Sequence, residues 1–264
     1  MASEDPLAQA CGALPVVTGQ FAELVVTAPD LSVLARGSKW TVREVAVHVA
    51  VGSRAFADLA PESNPSLPGM ADLSAEIERR MADVSETDPG KLAALTQDAI
   101  EDFIDAWVDR PADSPVDWAG CPITAATLAG VLLGEVVMHG YDMAYALGRP
   151  WPIDPTHAGL ILGAYGPLFP ICVNPERAAG HSASYALDLG GGPIVTLRFT
   201  DGVLGMEPPG TGPVDVTLCS DPVTFLMVAD GRLSQYEAIA LGRMSATGDR
   251  PELAVGFKDL FYNP

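Results

Sequence analysis

Glu135, His139 and Asp142 fall close together in GEVVMHGYD, a stretch inside an otherwise apolar run. On a helix, residues four apart stand about 40° apart around the axis and one turn up, so Glu135 and His139 project side by side. Such a pair can grip one cation if another helix adds a ligand, or it can hydrogen-bond internally with no metal. His48 is the candidate for the added ligand. The histidines are His48, His139, His157 and His181, and the first two lie in apolar surroundings. A lone histidine on an apolar helix is more often a hydrogen-bonded core residue, so spacing alone leaves both readings open.

The elements that must position these residues are helices. The run from Ala125 to Leu147 is apolar nearly all round, with Thr124 as its cap, Gly148 as its end and Pro150 beyond. No face is left for water, so Glu135 is expected to be buried and therefore neutral, paired or metal-bound. The run is not read as a membrane span, because Glu135, His139 and Asp142 would be very unfavourable in a lone bilayer helix. Thr41 and Glu44 form a T-x-x-E capping box, which predicts a helix from Val42 to about Leu59 that carries His48. A helical stretch is expected over residues 5–28, broken or begun at Pro15. A loop is expected over Pro61 to Met70, a short helix from Ser74 to Val84, and another from Asp88-Pro89 to about Val108. Arg110 to Pro122, with three prolines, reads as a loop. Asp154-Pro155 starts a helix to about Tyr165, which would complete a bundle of five or six helices.

Beyond about Pro175 the pattern changes. ASYALDL, PIVTLRF, VLGMEP and VDVTLCS read as strands, with a hairpin at the TDG between the second and third. Helices are expected after Asp221-Pro222 and from Ser234 to Leu241, a strand at MSATG, and a closing helix in DRPELAVGFKDLF. The expected fold class is α+β, with a helical bundle over residues 1–172 and a smaller α+β domain over 173–264. His157 should be exposed in a first helical turn, and His181 should lie in the linker.

The chain of 264 residues is 48% hydrophobic and 19% charged, which permits a sizeable core and argues against wholesale disorder. A formal net charge of −19 disfavours nucleic acid and anionic membrane surfaces as partners. Cys11, Cys121, Cys172 and Cys219 form no CxxC and read as buried or idle thiols rather than a disulfide framework. MASEDPLAQACG lacks the features of a secretory signal, so a cytoplasmic protein is expected.

WTVREVAVH at Trp40 to His48 and GEVVMHGYDMAYALGRP at Gly134 to Pro150 resemble the two signatures of the mycothiol-dependent maleylpyruvate isomerase family. That family belongs to the DinB-like four-helix-bundle superfamily, and the region from about Ala183 resembles the sterol-carrier-like domain that accompanies the bundle. The resemblance implies a divalent metal, usually zinc, on His48, Glu135 and His139. It gives Asp142 either a structural hydrogen bond or a role in orienting a ligand. Three protein ligands leave one position open, the pattern of a catalytic zinc, and in the family that position receives the thiol of mycothiol. A metal deprotonates such a thiol at neutral pH. The thiolate would add reversibly to an activated C=C in an isomerase, or displace a leaving group in a transferase. Arg243, in ALGRM, is the candidate for a substrate carboxylate; Arg149 and Arg43 are weaker candidates. Two other readings remain: a non-catalytic binder of apolar ligands, and a metalloenzyme that uses no thiol. The expected partners are a small-molecule substrate and a low-molecular-weight thiol.

Overall fold

The structure is a computed structural model that describes residues 5–60 and 67–262. It divides into two compact units, Met1–Ile153 and Asp154–Pro264. In the first, α1 (Pro6–Val26), α2 (Val42–Ala57), α4 (Pro89–Trp107) and α5 (Ala125–Ala146) form the bundle, and α3 (Met70–Ala82) packs on α2. A hairpin of β1 (Pro115–Trp118) and β2 (Cys121–Thr124) precedes α5. Around the bundle α1 touches α4 and α5, and α2 touches the same two helices, so each faces two neighbours. Leu7, Leu14, Phe21, Leu92, Phe103, Trp107 and Leu128 are fully buried between them. Each such side chain contributes roughly 1.5–3 kcal/mol of burial.

Local signals explain the starts. The capping box at α2 is present: Thr41 N donates to Glu44 Oε2 at 2.8 Å and Glu44 N to Thr41 Oγ1 at 3.2 Å. Asp88 and Thr124 cap α4 and α5 through their side chains. Gly148, at φ 65°, takes the left-handed position that ends α5. Pro15 neither breaks nor starts α1; it sits inside the continuous helix on an exposed position. The segment from Arg110 to Pro122 is not all loop, because it holds β1 and the start of β2. Its turn places Ala119 at φ 54° and Gly120 at φ 84°, the backbone of a tight two-residue hairpin. Residues 61–66 of the expected Pro61–Met70 loop lie outside the described residues, and α3 begins earlier than expected, at Met70.

The second unit contains α6 (Pro155–Tyr165), a 3-10 segment at Gly166–Cys172, α7 (Pro175–Ala178), and β3 (Ala183–Asp188), β4 (Pro193–Thr200), β5 (Val203–Glu207) and β6 (Val216–Ser220). It continues with α8 (Pro222–Ala229), α9 (Gln235–Ala240) and β7 (Met244–Thr247). The sheet order is β5-β4-β3-β6-β7, antiparallel except for the β3–β6 pair. The TDG hairpin is present, with Asp201 at φ 49° and Gly202 at φ 84°. The closing stretch forms 3-10 turns at Pro251–Gly256 and Lys258–Leu260 rather than an α-helix. α6, expected in the bundle, packs on α8 in this unit. The boundary expected at 172/173 and the division at 153/154 therefore differ by α6 and the 3-10 segment after it. His181 is not in a bare linker: its Nε2 lies 2.8 Å from the Tyr185 hydroxyl and its ring packs on Phe199. His157 is half-buried on α6. Among the described residues no helix is long and apolar enough to cross a membrane.

Candidate metal centre

α2 and α5 pack side by side and bring the three sequence candidates together. The capping box fixes where α2 begins and therefore which way His48 points, about two turns in. His48 Nε2 lies 3.3 Å from Glu135 Oε2, and His139 Nε2 lies 3.2 Å from that same oxygen. The two rings are 4.8 Å apart in an edge-on arrangement. One ligand atom from each of the three residues falls within 4.8 Å of the other two. Two imidazole nitrogens and a carboxylate oxygen converging in this way fit a divalent ion; the set suits zinc and also iron or nickel.

Electrostatics agree with an anionic Glu135. Burial pushes its carboxyl up, but hydrogen bonds to His139 and His48, and the charges of those rings, outweigh burial and hold it well below the usual carboxylate range. The expectation of complete burial is corrected: the Glu135 side chain is 39% exposed. Its helix is apolar all round, yet at this point the neighbour of α5 is a cavity rather than packed side chains.

The support around the ligands is uneven. Asp142 is buried, and its Oδ2 lies 3.9 Å from His139 Nδ1, too far for a hydrogen bond but close enough to orient the ring electrostatically. His48 Nδ1 is buried, with no hydrogen-bond partner among the described residues. What packs against that ring is Trp40, tilted 32° to it at 4.5 Å between centroids. Trp40 opens the WTVREVAVH motif one residue before the Thr41 cap, and that position was the signal that could have identified it.

The cavity beside the cluster has a volume of about 470 Å³. Its walls include Trp40, Phe56, Leu73, Ile77, Trp118 and Leu132, with His48 and Glu135 at one side. These residues come from the segment before α2 and from α2, α3, α5 and β1, and sequence reasoning identified only His48 and Glu135 among them as site residues. The remaining candidates are not among the cluster or the lining residues of this cavity. Arg243 is exposed in the second unit, in the turn between α9 and β7. Arg149 pairs with Thr27, and Arg43 donates to the carbonyls of Glu86 and Val84, so both are structural in this fold.

Fold and site together define a four-helix bundle with a two-histidine, one-glutamate cluster on a cavity wall, followed by an α+β unit. Residues 18–144 match the family model for the mycothiol maleylpyruvate isomerase N-terminal domain, and residues 172–261 match that of the SCP-2 sterol transfer family. The chain's bundle thus belongs to the mycothiol maleylpyruvate isomerase N-terminal domain family, and an SCP-2-like region follows it. A crystal structure of the mycothiol-dependent maleylpyruvate isomerase is similar, with a TM-score of 0.55 and 16% identity over 91% of this chain and 92% of that one. A histidine-to-alanine variant of that protein gives a TM-score of 0.56 at 15% identity, again over 91% of this chain and 92% of the other. At such identities the likeness is one of fold. No curated protein matches the sequence.

Proposed function

We propose that this chain is a metal- and mycothiol-dependent enzyme, an isomerase or S-transferase that acts on a small electrophilic substrate. The observation that carries the reading is the convergence of His48, Glu135 and His139 beside the cavity. These three residues would hold a divalent ion, with zinc the first candidate. When bound, the ion supplies positive charge that keeps a thiol deprotonated at neutral pH.

The chain's own residues prepare that chemistry. Glu135 stays ionised and draws both Nε2 atoms toward one point. Trp40 fixes the plane of the His48 ring, and Asp142 orients His139 from its buried side. The apolar walls exclude water, which would otherwise screen charge and compete for a reactive electrophile.

Metal analysis of the purified protein tests the reading. A stoichiometric divalent metal is expected, lost in His48→Ala and in His139→Ala together with thiol-dependent turnover. A metal-free protein whose fold and activity survive both substitutions would contradict it.

A further inference from the structure

We infer that the portion of the substrate lodged in this cavity is apolar or aromatic and carries no more than one carboxylate, received by Lys39. The inference rests on reading the cavity as the substrate site of the proposed enzyme. Three observations support it.

The walls are made of large apolar side chains. Phe56 and Trp118 meet edge to face at 5.7 Å, and Trp40 lies against His48 on the side of the cluster. Aromatic faces and edges of this kind favour a flat or extended apolar body.

The charge of the lining is negative. Lys39 is the cation among the described lining residues, against the carboxylates of Glu78 and Glu135. Lys39 Nζ is already 2.5 Å from Glu78 Oε1, in an exposed pair that a ligand carboxylate can exchange into. With the charge of an ion at the cluster taken up by Glu135 and a thiolate, a second carboxylate would meet apolar walls, the hydroxyls of Ser53 and Ser74 or the Glu78 carboxylate, and such burial is disfavoured.

The arginines of α2, α3 and the preceding segment are committed elsewhere. Arg36 stacks on Tyr145 at 4.6 Å, Arg43 is bound to two carbonyls, Arg54 pairs with Asp102, and Arg79 and Arg80 both pair with Glu76, at 2.8 and 2.7 Å. Among the described lining residues of this cavity there is thus no guanidinium fork for a dicarboxylate.

The test is a tryptophan-fluorescence titration of the full chain, freed of metal by a chelator and without thiol, using methyl cinnamate, cinnamate and maleate. The neutral ester and the monoanion are expected to saturate with dissociation constants at least ~10-fold below that of the dianion. Lys39→Gln should weaken cinnamate and leave the ester unchanged. Ile77→Arg adds a cation to the wall, so it should weaken the ester and strengthen maleate; Leu73→Arg repeats the readout from the neighbouring turn should the first variant fail to fold. Maleate binding as tight as cinnamate binding overturns the inference. So does ester binding that neither Ile77→Arg nor Leu73→Arg alters, because the ligand then lies elsewhere. A protein that takes up metal and thiol yet prefers maleate refutes this inference alone. One that binds the ester but neither metal nor thiol refutes the enzyme reading alone.

Discussion

At the scale of single residues, the centre depends on one carboxylate oxygen shared by two imidazoles. Glu135→Gln keeps the shape and removes the charge. It is expected to lower metal affinity at least ~10-fold in a chelator competition, with little change in far-UV circular dichroism. Trp40→Ala removes the ring packed against His48 and should lower metal affinity by less, with Trp40→Phe restoring most of it. A contact in the second unit has a signature of its own. Burial pushes the Tyr185 hydroxyl up from 10.0 to about 12. Between those values the folded chain keeps the proton and the unfolded chain loses it, so stability falls as pH rises from about 10 to 12. Two units correspond to about 2–3 kcal/mol. Urea unfolding at pH 9 and pH 11.5 should show that loss, and Tyr185→Phe should reduce it.

At the scale of elements, α5 carries the site only because the chain after it packs closely. Trp151 donates its indole N–H to the Val137 carbonyl at 3.0 Å and lies directly over Gly140, where a Cβ would meet the ring at 2.1 Å. Gly140→Ala is therefore expected to cost about 1–3 kcal/mol and to displace His139 next to it. Pairing it with Trp151→Leu should recover part of the loss, as a double-mutant cycle of thermal unfolding would reveal. Elements with strong local chemistry were legible in the sequence: the Thr41–Glu44 box, the Asp-Pro starts at Asp88, Asp154 and Asp221, and the Asp201-Gly202 turn. The β1–β2 hairpin was not, because its strands have four residues each and its turn uses Ala119 where Asn or Asp would have announced it. The closing segment reads as helical, yet it breaks after Gly256, the last residue of the first of its two short turns. The pair Glu135–His139 was legible from periodicity; the cavity was not. Its walls are apolar residues scattered over four elements, each of which reads as ordinary core until the packing leaves a gap.

At the scale of the whole molecule, a net charge of −19 places strong self-repulsion on the folded chain. Adding salt screens it, so the thermal midpoint should rise by a few degrees between low and physiological ionic strength, measured by calorimetry at constant pH. The same charge makes the cavity's apolar walls and lone lysine a filter against multiply anionic ligands, while a divalent ion at the cluster would concentrate positive charge at one point. The central claim is that this point receives a thiol. The most direct measurement is a titration of the cobalt(II)-loaded protein with mycothiol, followed by visible and near-ultraviolet absorption. The account predicts a saturable change in the cobalt bands, with a new thiolate-to-metal absorption that is lost in His48→Ala. Bands that stay unchanged at saturating mycothiol would contradict it.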